Sequence, residues 1–298
     1  MNQPDLNKPD LGSYYTQQYN TRAAIADHPY IFTRWVKDSA QVRSSSAALL
    51  DLMYGEAAGE RLDFFPARRG GAPLLVFIHG GWWRSLDKFD FSFITPAFRQ
   101  AGFNVALTNY TLAPTANIGE IIVQQQRALV WLYQHAEQYD FNPDRIFIAG
   151  HSAGAHLAAM LLSSAWPKLA LDVNREPSTQ LPADLLKAGI LLSGVYDLEP
   201  LLQAPFVNVD LQLTPEQIKA WSPLTLATPK SPFISAVGAL ESDEFKRQTA
   251  LLGRTWSEAK QADYLDTGTN HLTICDSFAT PGTALCDASL EFLQHCST

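Results

Sequence analysis

Short apolar runs that alternate with helical patterns are the feature of this sequence that most constrains its fold. The first clear run is Leu74–Ile78, and a continuous apolar run of this length is typical of a strand that is buried on both faces. Similar runs follow at Phe103–Thr108, Arg145–Ala149, Ala188–Leu192 and Phe233–Val237, with a sixth at Ala262–Leu265. Strands that alternate with helices predict a mostly parallel sheet with right-handed crossovers.

The segments between these runs carry the spacing of helices. The predicted helices are Ser92–Ala101, Ile118–Tyr139, Ala153–Ser164, Glu244–Lys260 and Pro281–His295. Two further strands, Leu49–Met53 and Arg61–Phe65, precede the first buried run and are joined by a glycine-containing turn. We therefore expect one α/β domain over residues 46–298.

The residues before this domain have a different composition, which is polar and aromatic. We expect residues 1–45 to form an arm that packs on the domain. Within the arm, the pattern predicts a helix over Tyr30–Arg43, with Ile31, Trp35 and Val36 on one face.

Two long segments interrupt the alternation of strands and helices. Residues 166–182 and 200–229 are rich in proline, and we expect them to be irregular. Both follow the ends of predicted strands, where open α/β sheets bind their ligands. We expect them to act as lids or binding loops, with surface decoration as the alternative.

Charge and cysteine usage restrict the partners and the compartment. The chain has 22 Lys and Arg against 30 Asp and Glu, a net charge of −8, which argues against a nucleic acid or an anionic membrane as partner. No apolar run is long enough to span a membrane, and the first ten residues lack the apolar segment of a secretory signal. The three cysteines, Cys275, Cys286 and Cys296, have no CxxC spacing and predict neither a disulfide framework nor a metal site. We expect a cytoplasmic protein.

The pentad Gly150-His151-Ser152-Ala153-Gly154 matches the GxSxG pattern of serine hydrolases. It follows a predicted strand and opens a predicted helix. A turn of this kind exposes the serine at a helix N-terminus, where developing negative charge is favoured. The alternative is an ordinary turn of small residues at a tight strand–helix junction.

A second glycine-containing segment, His79–Trp83, follows the first buried strand. Consecutive glycines let backbone N–H groups approach a substrate, and a hydrolase needs such groups to stabilise an oxyanion. We expect the N–H groups of Gly81, Trp82 and Ala153 to form this hole, and His79 to fix the loop. The alternative for this segment is an ordinary glycine turn.

A serine nucleophile of this type needs a histidine as general base, which follows it in the chain. His271 lies in the loop after the last predicted strand, which is the expected position for this base. The other histidines after Ser152 have structural explanations: His156 lies on the helix that follows the serine, and His295 lies at the end of the last helix.

The general base needs a carboxylate that orients it, and the sequence offers three. Glu241 and Asp243 follow the strand Phe233–Val237, and Asp197 follows the preceding strand. Asp243 has the alternative role of capping the next helix. We favour Glu241, then Asp243, then Asp197.

Together these motifs resemble the α/β-hydrolase superfamily, and within it the arylformamidase (kynurenine formamidase) group near the hormone-sensitive-lipase-like esterases. The similar segments are the HGGxW motif at 79–83, GHSAGxHL at 150–157, SGVYDL at 193–198, the acid-plus-EFxRQ segment at 241–248, and Asn270-His271. The resemblance implies an α/β-hydrolase fold and places the acid at Glu241.

We therefore predict a serine hydrolase that forms an acyl-enzyme on Ser152, with His271 as base and Glu241 as its orienting acid. The expected substrate is a small-molecule amide or ester, with an arylformamide such as N-formylkynurenine favoured over short-chain or xenobiotic aromatic esters. An alternative of another class is a non-catalytic binding protein on the same fold. No metal or organic cofactor is implied, and the oligomeric state stays open, with a homodimer as one alternative.

Aromatic residues near the predicted hole suggest the shape of the substrate pocket. We expect Trp82 and Trp83 to line it, with at least one of the two rings bordering the substrate. Tyr196, together with Tyr19 and Trp35 of the arm, is expected to close the other side. The alternative for Trp83 is a core residue beneath the loop.

Overall fold

An eight-stranded sheet runs through the centre of the computed structural model, which describes residues 10–169 and 180–297. The strands are β1 (Leu49–Met53), β2 (Arg61–Phe65), β3 (Ala72–Ile78), β4 (Asn104–Thr108), β5 (Phe141–His151), β6 (Leu186–Leu192), β7 (Phe233–Gly238) and β8 (Lys260–Asp266). Their spatial order is β1-β2-β4-β3-β5-β6-β7-β8. Both pairings of β2 are antiparallel and all the others are parallel, which confirms the mostly parallel sheet.

The central strands are buried on both faces, as their continuous apolar runs predict. In β3, Leu74, Val76 and Ile78 pack into the hydrophobic core on one side of the sheet. The residues between them, Leu75 and Phe77, pack into the core on the other side. Successive side chains of a strand point to opposite faces, so one short run contributes to two cores.

Helices cover both faces of the sheet. They are α1 (Leu11–Tyr19), α2 (Thr21–Ala24), α3 (His28–Ser45), α4 (Thr95–Gln100), α5 (Ile118–Gln134), α6 (Ala153–Leu162), α7 (Pro205–Leu211), α8 (Pro215–Trp221), α9 (Asp243–Thr255), α10 (Thr273–Ala279) and α11 (Ala284–His295). All ten residues of α6 are buried, so the helix that follows Ser152 lies inside the molecule. No helix of the described ranges is long and apolar enough to cross a membrane.

Several predicted helix boundaries were wrong. The predicted helix Ser92–Ala101 is a 3₁₀ helix, Lys88–Ile94, followed by the shorter α4. The predicted last helix starts later, at α11, because Thr283 caps it by accepting a hydrogen bond from the Cys286 N–H. Helix α10 was not predicted.

The segment 200–229 was expected to be irregular, and this prediction was wrong. It contains α7 and α8, and α8 begins with a capping box in which Thr214 and Gln217 bond each other's backbone N–H groups. Of the other expected insertion, 166–182, residues 170–179 lie outside the described residues.

Helix α3 of the arm packs on the domain through one face. Its buried residues are Ile31, Trp35 and Ser39, whereas Val36 is 44% exposed, so the predicted face was wrong at Val36. Residues four apart lie on one side of a helix, which explains this set. The ring of Trp35 packs against Phe91 and Phe93 of the domain.

Hydrogen bonds reinforce this contact between the arm and α10. The Trp35 indole N–H donates to an oxygen of Asp276 over 2.8 Å. The Arg34 guanidinium donates to the same carboxylate. One acidic residue therefore holds two consecutive side chains of α3.

We predict that Trp35→Ala lowers the free energy of unfolding by about 3–5 kcal/mol, because it leaves a large cavity and removes the indole hydrogen bond to Asp276. Val36→Ala on the same helix is the matched control, and its exposed side chain should cost about 1 kcal/mol or less. Urea unfolding followed by circular dichroism measures both. Equal losses for the two variants would mean that α3 does not dock through Trp35.

Candidate active site

Ser152 occupies a strained turn between β5 and α6. Its φ and ψ are 56° and −117°, a conformation that L-residues with a side chain rarely adopt. The neighbouring glycines have no space for a side chain: a Cβ on Gly154 would lie 2.0 Å from the Ile78 carbonyl oxygen, and one on Gly150 would lie 2.2 Å from that of Gly154. The two glycines of the GxSxG pattern are therefore required by packing.

Three side chains from three different loops form one hydrogen-bonded row. The Ser152 hydroxyl donates to His271 Nε2 over 3.0 Å, and His271 Nδ1–H donates to Glu241 Oε2 over 2.6 Å. All three residues are buried. The row can move a proton from the serine oxygen to the imidazole while the carboxylate stabilises the resulting cation.

The carboxylate of Glu241 is fixed by further donors. Its second oxygen, Oε1, accepts hydrogen bonds from the Gly238 N–H over 2.7 Å and from the Ser193 hydroxyl over 2.5 Å. A buried carboxylate is costly unless hydrogen bonds satisfy it. These bonds hold the turn after β7 against the end of β6, and they orient Oε2 toward His271.

The other two candidate acids do not approach His271. Asp243 is exposed at the first position of α9. Asp197 forms an ion pair with Arg247 over 3.1 Å. Of the three carboxylates considered from the sequence, Glu241 is the one that the structure brings to the histidine.

The loop that carries His271 is held by a residue that the sequence analysis missed. His151 Nε2–H donates to the backbone carbonyl of His271 over 2.7 Å. Burial and the nearby His271 hold the pKa of His151 well below its ordinary value, so its imidazole stays neutral. His151 precedes Ser152 in the GxSxG pentad, and this position was the signal in the sequence that could have indicated its role.

The His79–Trp83 loop has the backbone shape expected of an oxyanion hole. Gly81, Trp82 and Trp83 have φ values of 110°, 56° and 56°, and a Cβ on Gly81 would lie 2.1 Å from the Ser85 carbonyl oxygen. Within residues 10–169 and 180–297, the N–H groups of Gly81, Trp82 and Ala153 donate to no acceptor. They are available to a ligand oxygen.

The ring of His79 fixes this loop. It forms hydrogen bonds with the Gly80 carbonyl over 2.8 Å and with the Asn109 side chain over 2.9 Å. It also stacks on Tyr110, with ring centroids 4.5 Å apart. Burial lowers the pKa of His79, which keeps the ring neutral in this structural role.

A cavity of about 290 Å³ opens above Ser152 and His271. Its walls come from the arm, from the loop after β3 and from α7. The lining residues are Asn20, Thr21, Arg22, Phe32, Trp35, Gly81, Trp82, Arg84, Ser85, Leu86, His151, Ser152, Phe206, Asp210, His271 and Leu272.

Two of the expected pocket residues do not line this cavity. Trp83 is completely buried and packs edge-on against His156, so it is a core residue beneath the loop. Tyr196 is also completely buried, and its ring lies against the backbone of Gly194. Trp82, the third of the expected pocket residues, does line the cavity.

The contribution of the arm to the cavity is larger than expected. Trp35 lines it, as predicted, whereas Tyr19 lies behind Trp82 with its ring edge-on, 5.7 Å between centroids. The Tyr19 hydroxyl donates to Glu244 and accepts from Gln248, both over 2.8 Å. These bonds seat the arm next to the Glu241 turn.

The described part of the chain contains no group of three or more His, Cys, Asp or Glu side chains that could hold a metal ion. The three cysteines are free thiols.

Comparison with known proteins connects this geometry to a family. The BD-FAE family model matches residues 62–237, which include the His79–Trp83 loop and the Ser152 turn. The chain belongs to the BD-FAE family. It is 34% identical to the kynurenine formamidase of Danio rerio over 217 residues, which cover 70% of this chain and 69% of that protein. The kynurenine formamidase of Salmo salar is 30% identical over 255 residues, covering 82% and 81%.

The solved structures agree with this assignment. A crystal structure of a candidate thioesterase from a Silicibacter species is 27% identical, with a TM-score of 0.78, and covers 91% of this chain and 97% of that one. Other relatives are named as esterases. The chain is an α/β-hydrolase enzyme of the arylformamidase or carboxylesterase type, which sets aside the non-catalytic alternative.

We predict that the three candidate acids differ sharply in their effect on activity. Glu241→Gln places an amide N–H opposite His271 Nδ1, so the proton moves to Nε2 and the ring can no longer accept from Ser152. The kcat should fall by about 10³- to 10⁴-fold. Asp243→Asn and Asp197→Asn should each cost less than about tenfold. Steady-state kinetics with an aryl ester decides the ranking, and a larger loss at either aspartate would move the acid there.

A second prediction concerns His156, which lies behind Trp83. Its Nε2–H donates to the Trp221 carbonyl over 2.7 Å, and burial lowers its pKa to about 4. The unfolded histidine binds a proton below about pH 6.5, whereas the folded one does not until about pH 4. The free energy of unfolding should therefore fall as the pH drops through this interval.

The variant His156→Gln keeps an N–H donor and removes the titration. We expect its stability to depend less on pH than that of the native protein, by at most about 1.4 kcal/mol per pH unit. Urea unfolding at pH 7 and pH 5 gives the two differences. The same pH dependence in both proteins would show that His156 titrates alike in the folded and unfolded states.

Proposed function

We propose that this enzyme hydrolyses an arylformamide of the N-formylkynurenine type through an acyl-enzyme on Ser152. The observation that carries the proposal is the unbroken row of hydrogen bonds from Glu241 through His271 to Ser152 at the bottom of the cavity. The same chemistry acts on esters. The hydrogen-bonded row therefore determines the type of reaction, and the shape of the cavity determines which substrate is accepted.

In the first half of the reaction, Ser152 Oγ attacks the formyl carbon while its proton passes to His271 Nε2. The carbonyl oxygen becomes an oxyanion, which the N–H groups of Gly81, Trp82 and Ala153 stabilise. Glu241 stabilises the imidazolium that forms. The carbon–nitrogen bond then breaks, and the proton on Nε2 passes to the leaving amine.

In the second half, water attacks the formyl ester on Ser152. The base His271 takes a proton from this water, and the same hole stabilises the second oxyanion. The ester bond breaks, Ser152 Oγ takes the proton from Nε2, and formic acid is released, which ionises to formate in water. No other group has to transfer a proton.

The cavity supports an aromatic substrate with a small acyl group. Its wall includes the rings of Phe32, Trp35, Trp82 and Phe206, and such flat side chains favour contacts with an aromatic ligand. A volume of about 290 Å³ lies at the lower limit of small-molecule pockets, which leaves little space for a long acyl chain. The kynurenine formamidases of the two fishes support the same substrate class.

The second candidate function is hydrolysis of short-chain aryl esters. It is favoured by the esterase names of other relatives and by the same small aromatic cavity. An ester leaving group needs less assistance than an amine, so a site built for arylformamides also accepts aryl acetates.

We further propose a cytoplasmic location. The free thiols of Cys275, Cys286 and Cys296 support it, because reducing compartments keep cysteines unpaired.

We predict that N-formylkynurenine and phenyl acetate are hydrolysed with a higher kcat/KM than a dodecanoyl aryl ester. The reason is the limited space beside Trp82 and the Ser152 hydroxyl. Continuous assays at equal substrate concentration compare the three compounds, and Ser152→Ala provides the background, with kcat about 10⁴-fold lower. Turnover of phenyl acetate without turnover of N-formylkynurenine would favour the esterase. Fastest turnover of the dodecanoyl ester would exclude the small aromatic cavity as the basis of selectivity.

A further inference from the structure

The catalytic cavity is lined by more positive than negative side chains, although the chain as a whole is acidic. The net charge of the chain is −8. The charged residues that line the cavity are Arg22, Arg84 and Asp210, alongside the Ser152 hydroxyl and the two histidine rings of the site. Two guanidinium groups and one carboxylate therefore face the space that the substrate enters.

One of these arginines is neutralised within the protein. Arg84 forms an ion pair with Asp210, and its guanidinium also lies over the ring of Phe206, 5.8 Å from the centroid. Its charge is already compensated before a substrate binds.

Arg22 has no such partner. Its Nη2 donates to the Ser85 hydroxyl over 3.2 Å, and its guanidinium lies over the ring of Phe32 at 5.3 Å. In the part of the chain that the structure describes, no carboxylate lies within ion-pair distance of it. The arm therefore brings one uncompensated guanidinium to the cavity, held in position by a neutral hydroxyl and a ring face.

We propose that Arg22 is a specificity-determining residue that binds a carboxylate on the leaving group of the substrate. The proposal rests on the proposed function, in which the acyl group is small and occupies the space next to Ser152. The leaving group is then the larger part and fills the rest of the cavity, where Arg22 lies. A guanidinium presents a planar pair of donors that matches the two oxygens of a carboxylate.

A different role for Arg22 gives a different kinetic signature. The Ser85 hydroxyl that accepts from Arg22 donates to the Gly81 carbonyl over 2.9 Å. Arg22 is thus two hydrogen bonds away from the proposed oxyanion hole. If it acted only by supporting this loop, its loss would lower kcat for every substrate, whatever the charge of the substrate.

The test compares two aryl acetates that differ only in one charge: 4-acetoxybenzoate and its methyl ester. The variant is Arg22→Gln, which keeps a polar side chain with an N–H group and removes the positive charge. The matched control is Arg254→Gln, which makes the same change in net charge at an exposed position near the end of α9. All assays use the full-length protein.

We expect Arg22→Gln to lower kcat/KM for the carboxylate-bearing ester about five- to tenfold, through KM, and to change that of the methyl ester less than about twofold. In the native enzyme, raising the ionic strength should lower kcat/KM for the carboxylate-bearing ester relative to the methyl ester, since salt screens exposed charges. Arg254→Gln should leave both substrates unchanged. An equal loss for both esters through kcat, or no loss for either, would overturn the proposal. Failure of the native enzyme to hydrolyse even the neutral ester would instead refute the proposed function.

Discussion

The hydrogen bond between the buried carboxylate of Glu241 and the imidazole of His271 is the interaction on which the rest of the site depends. Its two partners leave the sheet at the ends of the neighbouring strands β7 and β8, so parallel pairing brings them together. A carboxylate at this depth is tolerated because Gly238, Ser193 and His271 all donate to it. The same bonds that make burial acceptable fix the direction in which His271 faces Ser152.

Strained backbone conformations occur in the loops that form the site. Ser152, Ser193, Trp82 and Trp83 all have positive φ values, and each follows the end of a central strand. Such conformations persist only where the surrounding structure holds them. Here the buried strands and the completely buried helix α6 provide that support. The sheet and the two cores thus stabilise a set of turns that would be unfavourable in a free chain.

The residues of the hydrogen-bonded row could be predicted from the sequence because each belongs to a local pattern. Ser152 lies in a pentad in which a Cβ on either glycine would come within 2.5 Å of a backbone atom, so both glycines are required. Glu241 and His271 follow recognisable strands. The pocket was less predictable. Trp82 lines the cavity and Trp83 is completely buried, although the two tryptophans are adjacent in the chain and share a φ of 56°. The position of Arg22 depends on how a separate arm docks, through contacts between residues far apart in the chain.

The most direct test of the account is labelling with a fluorophosphonate, which reacts covalently with an activated serine, followed by peptide mass spectrometry. The hydrogen-bonded row predicts one adduct, on the peptide that contains Ser152, and none in Ser152→Ala. The labelling rate should fall when phenyl acetate competes for the cavity. An adduct on another residue, or unchanged labelling of Ser152→Ala, would contradict the assignment of Ser152 as the nucleophile.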